Sequence, residues 1–347
     1  MGAVITGVAS AVPGAMDQAG LWDDFFHAHY GGDRLAERVF ASSAITTRHG
    51  VADPRLIDVS SWTTGQRMAR YVDEAPRLGK AALSAAFAAA DLDPADIGLF
   101  TVASCTGYST PGLDLVLARD MAMQPCVQRL LVGHMGCYAA LPALGAVADF
   151  VVARGRPAVL LCVELTSLHI QPATDEVSQM VAHALFSDAA AAIVLQPDSQ
   201  VSAQSGGLTF VDMVAVADHS TADHMTWDIT DLGFRMGLSP QVPAVLARHV
   251  GGVVRDRLLA PHGLLPRDVA AWAVHPGGRR ILEVVEEQLE LPAQALEPSY
   301  AVLDQHGNCS SSTVLMVLEQ LPTTPGPVVA MAFGPGLTLY AALLHRS

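Results

Sequence analysis

The sequence predicts an α/β protein with a mostly parallel sheet, organised as two similar halves. Three observations carry that expectation. Short apolar runs alternate with helical patterns along the chain, the mark of strand–helix units. Hydrophobic residues make up 51% of the 347 and charged residues only 16%, which suits strands buried on both faces and a sizeable subunit interface. The chain also exceeds one typical domain core.

Ala3-Val4-Ile5-Thr6-Gly7-Val8 reads as an opening strand, although Met1-Gly2 with Thr6 also matches the bare myristoylation pattern. A helix is expected over 79–92, then a strand over 97–103. A second helix runs over 137–153, where Leu141, Leu144, Val147 and Phe150 recur three apart and form a stripe to bury. Strands follow at 158–163 and 190–195, each short, continuous and aliphatic. The polar, turn-rich segment 196–207 is too short to be a linker between independent domains, so it divides one body into halves 1–198 and 199–347. In the second half come a strand at 269–274, a helix at 279–289 with Ile281, Leu282, Val285 and Leu289 on one side, and a strand at 328–333. No repeat is visible between the halves.

A net charge of −14 argues against nucleic acid or an anionic membrane as partner, and a polyanionic substrate must find a local basic patch. Five cysteines, an odd number without repeating spacing, fit a reducing compartment better than a disulfide framework. No uninterrupted apolar run reaches a membrane-spanning length, and residues 1–13 lack the features of a secretory leader. The expectation is a cytoplasmic protein.

Three short stretches carry the chemistry. They are Gly136-Cys137-Tyr138, Val274-His275-Pro276-Gly277-Gly278 and His306-Gly307-Asn308-Cys309-Ser310, with 138 residues from Cys137 to His275 and 33 more to Asn308. Cys137 opens a helix, where the positive end of the dipole favours thiolate over thiol. His275 ends a strand at a Pro-Gly-Gly turn, a position that places an imidazole at the carboxyl edge of a sheet. Asn308 sits in a Gly-rich turn. Singly, each has an ordinary explanation: buried free cysteines are often inert, core histidines are often merely satisfied, and asparagine often caps. Together they supply a thiol, an imidazole and a carboxamide, the parts needed to hold an acyl group on sulfur and stabilise negative charge beside it. With the cysteine in one half and the other two in the second, the site must form where the halves meet.

Gly136-Cys137-Tyr138-Ala139, Ala184-Leu185-Phe186-Ser187-Asp188, Val274-His275-Pro276-Gly277-Gly278, Gly307-Asn308-Cys309-Ser310-Ser311 and Phe333-Gly334-Pro335-Gly336-Leu337-Thr338 resemble, in order and spacing, type III polyketide synthases of the chalcone and stilbene synthase family. The likeness runs from about Ala44 to the end and is nearer to bacterial members than to plant ones. It implies a thiolase-like five-layered αβαβα fold built from two pseudo-repeated halves, working as a homodimer without metal or other cofactor. It further implies an acyltransferase that condenses malonyl thioester units decarboxylatively onto a Cys-bound acyl starter, giving a pyrone, resorcinol or other small phenolic. Cys137 then matches the nucleophile, and His275 and Asn308 match the pair that assists decarboxylation and stabilises enolate and oxyanion. Phe186 and Phe234 match two aromatics between acyl tunnel and cavity. Thr110 matches a loop residue that reaches into the partner subunit's cavity. Ser310 and the loop Gly334, Pro335, Gly336 complete the substrate-binding set.

Departures from the plant pattern bear on product. The cavity positions Thr166, Leu168 and His169 include an imidazole where plant enzymes carry a small hydroxyl residue. Met225 falls where they carry glycine, and Cys105 lies on the cavity wall. The coenzyme A phosphate grip is thin, with Arg48 the firm cation near 42–49 and Arg279 and Arg280 at the tunnel mouth. The acyl donors implied are acyl-coenzyme A and malonyl-coenzyme A, with acyl carrier protein an open alternative. The rival enzyme reading is a stand-alone ketosynthase, similar to ketoacyl synthase III, that performs a single condensation. A metal protein using His134, Cys137, His169 and His183 lacks a zinc spacing, and no Gly-x-Ser-x-Gly elbow supports a hydrolase.

Overall fold

A computed structural model describes residues 2–201 and 206–347. The strands are β1 (Ala3–Ala11), β2 (Ala15–Asp17), β3 (Thr47–His49), β4 (Leu99–Ala103), β5 (Gln128–Val132), β6 (Ala158–Glu164), β7 (Ala189–Pro197), β8 (Leu208–Ala217), β9 (Met225–Thr230), β10 (Gly233–Leu238), β11 (Ala271–Val274), β12 (Gly326–Gly334) and β13 (Thr338–Arg346). Nine of them form one mixed sheet in the order β11-β12-β13-β8-β1-β7-β6-β4-β5. At its centre β1 and β8 share only the pairs Val4↔Thr209 and Ile5↔Leu208. The sheet is therefore two sheets joined at a corner, which lets them stack.

Period-2 alternation shows the stacking directly. In β7, Ala189, Ala191, Ile193 and Leu195 enter a central core, while Ala190, Ala192 and Val194 enter an outer one. In β12, Val328, Ala330 and Ala332 enter the same central core, while Val329, Met331 and Phe333 face a different outer one. Helices Ala140–Arg154 and Ser312–Gln320 lie in that central core, between the sheets. Helix Thr64–Ala90 covers one outer face; Val242–Gly251, its π-helical continuation Gly252–Leu259, and Arg279–Leu289 cover the other. The five layers αβαβα follow. Alanine on the central sheet faces keeps the middle helices close, and that middle layer supplies the site.

The predicted strands 97–103, 158–163, 190–195, 269–274 and 328–333 are present as β4, β6, β7, β11 and β12, and the helix 279–289 is Arg279–Leu289. The expectation of a mostly parallel sheet is corrected. Among the described residues only the strand pairs β4–β5, β4–β6 and β11–β12 run parallel. Continuous apolar runs report burial on both faces, which the helix layers supply whatever the strand direction. The helix expected over 79–92 begins at Thr64, where Thr63 and Gln66 form a capping box. Pro76 reads as a break, yet the one bond it cannot make is to the carbonyl of Val72, a residue 46% exposed. Of the turn-rich segment 196–207, residues 196 and 197 belong to β7, Asp198–Gln200 form a 3₁₀ turn, and 202–205 lie outside the described residues.

Gly136–Arg154 is long and apolar enough to cross a membrane by length and composition. Its apolar residues instead form the middle layer between the two sheets.

Candidate active site

Cys137 sits in the 3₁₀ turn Gly136–Tyr138 that feeds helix Ala140–Arg154. Gly136 has φ +69°, and a Cβ there would lie 2.7 Å from Pro335 Cδ. The turn after β12 closes on the cysteine from the other side, because a Cβ on Gly334 would lie 3.3 Å from the Cys137 nitrogen and 3.0 Å from Tyr138 Cδ1. Close approach and positive φ thus require glycine at 136, and position 334 is tight. The Tyr138 and Tyr340 rings stack at 5.5 Å and lock the two segments together.

Asn308 is held by its backbone on both sides: its N–H donates to Leu185 O at 2.9 Å, and its carbonyl accepts from Ser187 N at 3.0 Å. Gly307 at φ +69° approaches Leu185 O too closely for any side chain. Asn308 Oδ1 accepts from Ser310 N at 2.9 Å, which fixes the amide and leaves its NH₂ to donate. The Asn308 and Ser310 side chains lie beside the Cys137 sulfur and pull its thiol down. His275 continues from β11 and donates its backbone N–H to Met331 O at 2.8 Å. Its ring lies edge-on to Phe333, 5.7 Å away, and Nδ1 is buried without a partner.

Burial accordingly pushes the His275 imidazole down to about 3. Burial also pushes the Cys137 thiol up to about 12, with Glu164 raising it further and the bonds from Ser310 and Asn308 pulling it back. Desolvation therefore works against the helix-stabilised thiolate that the sequence led us to expect, and one short turn is a small counterweight. Sulfur ionises only as its proton leaves for an acceptor.

Cys137, His275 and Asn308 line one cavity of about 320 Å³, together with Phe186, Met225, Met236 and Phe333. Two small voids lie against it, of about 40 and about 20 Å³, and Phe186 and Met236 border all three spaces. Glu164, at the end of β6, is fully buried and accepts from Thr106 Oγ1 at 2.8 Å, Ser311 Oγ at 2.5 Å and Cys105 N at 3.1 Å. Sequence reasoning missed it, although a lone carboxylate closing the otherwise aliphatic run of β6 was the available signal. Trp227 and Met236 were missed as well.

Family models described as chalcone and stilbene synthases, N-terminal and C-terminal domain, match residues 3–199 and 214–347. The chain belongs to the chalcone and stilbene synthase family. A 1,3,6,8-tetrahydroxynaphthalene synthase of Streptomyces peucetius subsp. caesius is 37% identical over 325 residues, covering 91% of this chain and 85% of that protein. The alpha-pyrone synthesis polyketide synthase-like Pks18 of Mycobacterium tuberculosis is 31% identical over 319 residues, covering 88% and 81%. The crystal structure of PKS-I from the brown alga Ectocarpus siliculosus superposes with TM-score 0.92 at 28% identity, covering 100% of this chain and 98% of that one. The protein is an acyltransferase of the type III polyketide synthase family, whose reaction is decarboxylative Claisen condensation of malonyl units onto an acyl starter.

In this synthase Ser310 and Cys105 line the smaller void beside Cys137, with Cys105 Sγ 3.6 Å from Ser310 Oγ. Thr166 borders both voids and donates to Ser187 O at 2.8 Å. Pro335 borders the smaller void, and Gly336 N donates to Met225 O at 3.4 Å. Phe234 borders only the larger void, stacked on His169 at 4.6 Å. His169 accepts from Phe234 N at Nδ1 and so donates from Nε2 to Thr106 O at 2.7 Å. It braces the wall of the larger void and does not reach the cysteine chamber. Leu168 is fully buried in the outer core of the first sheet, which removes it from the cavity wall. Thr110 is exposed and donates to the Tyr108 phenolic Oη at 3.1 Å, away from this chain's own cavities. His134, Cys137, His169 and His183 do not converge on one point; no metal-holding group occurs among the described residues.

Arg48 is corrected as a carrier contact. It is 5% exposed, donates to His183 O and Phe186 O, and lies 5.8 and 5.9 Å from the Phe26 and Phe40 ring centroids. Its aromatic slot and two buried carbonyls leave no room for a phosphate. Arg48→Met is expected to lower stability by about 3 kcal/mol by orphaning those carbonyls, while KM for a coenzyme A thioester stays within about twofold. Thermal melting and steady-state kinetics check both, and a tenfold rise in KM without loss of stability would contradict the assignment. Arg279 and Arg280 do line the chamber mouth, but they pair with Glu283 at 3.0 and 3.2 Å and Arg280 also with Glu287 at 2.8 Å.

His169 and His183 are held down to about 3 by burial, as His275 is. A histidine whose folded value is lowered favours the native state above its unfolded value of 6.5, and that contribution is lost as pH falls toward 3. Each of the three is expected to remove about 2 kcal/mol between pH 7 and pH 5. Asp188, raised to about 6 by burial, works the other way and returns about 1 kcal/mol over that range. Urea midpoints should therefore fall clearly from pH 7 to pH 5; an unchanged midpoint would refute three neutral buried imidazoles.

Proposed function

We propose that Cys137 carries the acyl starter and the growing chain, with His275 and Asn308 as the donors that stabilise the negative charge formed beside it. The observation that carries this reading is that the buried side chains of Cys137, His275 and Asn308 line one chamber of about 320 Å³. Sulfur attacks the starter thioester while His275 takes its proton and returns it to the departing thiolate. A malonyl thioester then loses carbon dioxide, and the electron pair goes onto the thioester oxygen as an enolate. The single N–H of neutral His275 and the NH₂ of Asn308 meet that oxygen. The enolate carbon attacks the Cys137 thioester, the new carbon–carbon bond forms, and the C–S bond breaks to free the sulfur. No strong base is needed, because decarboxylation itself creates the nucleophile.

The acyl donors are coenzyme A thioesters, and repeated extension ends in a pyrone or small phenolic. The halves are residues 1–198 and 199–347, and the enzyme works in the cytoplasm as a homodimer. The edge strand β5 supports the dimer: it leaves Leu130 40% and Leu131 48% exposed. The test is incubation with acetyl-, hexanoyl- or dodecanoyl-coenzyme A plus malonyl-coenzyme A, following carbon dioxide and product mass. More than one malonyl unit per product supports the synthase over a single-condensation ketosynthase. No turnover of any malonyl thioester, free or carrier-bound, would overturn the reading.

A further inference from the structure

We propose that Arg48 is a positioning residue for the decarboxylation, a brace that sets where the Asn308 amide stands; the inference rests on the reading above. Asn308 belongs to a small two-stranded contact. It forms a parallel bridge with Phe186, its N–H donates to Leu185 O at 2.9 Å, and its carbonyl accepts from Ser187 N at 3.0 Å. The amide therefore goes wherever residues 185–187 go. Arg48 grips both partners of that bridge. Its Nη1 donates to His183 O and, at 3.1 Å, to Phe186 O. Its stem packs on the Asn308 side, where a Cβ on Gly307 would lie 3.3 Å from Arg48 Cγ.

The bonds explain why a cation is needed here. Residues 183–186 end the helix Val177–Leu185, and Phe186 N still makes the helical bond to Ala182 O. The next helical bond would run from Ser187 N to His183 O. Asn308 O has taken that donor, and Arg48 supplies the one His183 O then lacks. A guanidinium also suits the negative end of a helix. Beside it, His49 N donates to Ser187 Oγ at 2.8 Å and His49 O accepts from Asp188 N at 2.9 Å, so β3 holds the segment on along its length. Without Arg48, His183 O competes for Ser187 N, and the bridge that carries Asn308 loosens. A misplacement of about 1 Å at a reacting centre costs up to about 10²-fold in rate. Cys137 sits on a different element, the turn Gly136–Tyr138, so its loading does not depend on that bridge.

Positioning and bulk stability are separable. Arg48→Met keeps the stem on Gly307 and removes the donors, whereas Arg48→Lys keeps a charge that reaches both carbonyls. Assayed well below its melting temperature, the methionine variant is expected to release carbon dioxide from malonyl-coenzyme A about tenfold more slowly or worse, through kcat, with KM within about twofold and acyl loading of Cys137 within about threefold of wild type. The lysine variant is expected to recover to within about threefold of wild type. In an Asn308→Ala background, Arg48→Met is expected to cost almost nothing further, because the amide it positions is gone; a purely structural residue would impose the same loss in both backgrounds. If the methionine protein does not fold, Arg48→Gln, which retains a donor for one carbonyl, goes through the same cycle. Unchanged carbon dioxide release in a folded Met or Gln variant would overturn the proposal, as would an equal loss with and without Asn308, or loading that falls as far as decarboxylation. If wild type releases no carbon dioxide from any malonyl thioester, the functional reading fails instead, so the two failures are distinct.

Discussion

Cys137→Ala is expected to abolish acyl-enzyme formation and to lower product formation to background, by about 10⁴-fold or more, while leaving the fold intact. The sulfur lines the same chamber as the His275 imidazole and the Asn308 amide, and covalent attachment there converts a two-body condensation into a positioned one. Alanine keeps the tight φ +69° turn at Gly136 and the contact with Pro335, so packing survives. Cys105 does not substitute, because it does not line the chamber shared by His275 and Asn308. Intact mass after a short exposure to acyl-coenzyme A reads the effect; a fully acylated variant would show that another residue carries the chain.

His275→Ala and Asn308→Ala are each expected to slow malonyl decarboxylation by about 10²–10³-fold, the usual effect of deleting one preorganised donor at a developing oxyanion. Acylation should survive in part, since neither replacement touches the sulfur. The double variant should lose less than the product of the two, because both donors serve one oxygen. Release of carbon dioxide measured beside acyl loading separates the steps. Equal loss of both in either variant would mean that the residue only holds the chamber together.

Much of this was legible beforehand, and the reason lies in backbone requirements. Gly136, Gly307 and the Gly334-Pro335-Gly336 turn leave marks in sequence because close approach or positive φ excludes other residues. Cys137, His275 and Asn308 sit beside those marks. Aliphatic strands such as β6 and β7 were equally visible, since both faces are buried. Strand direction was not, because burial is blind to it. The strands β5 and β9 were missed because neither has a fully buried residue, and β10 because Gly233 and Gly237 interrupt its short apolar run. Arg48 was misplaced for a general reason: sequence gives a charge without its surroundings, and here an aromatic slot and two carbonyls absorb the cation. Glu164 acts through a partner distant in sequence, Ser311, so only the folded chain brings its role into view.

The most direct test is the mass of what Cys137 carries during turnover. After brief incubation with acyl- and malonyl-coenzyme A and an acid quench, the peptide containing Cys137 should bear the starter acyl group together with forms lengthened by ketide units. Product formation with that peptide unmodified, or with the acyl group on Cys105 instead, would contradict the account.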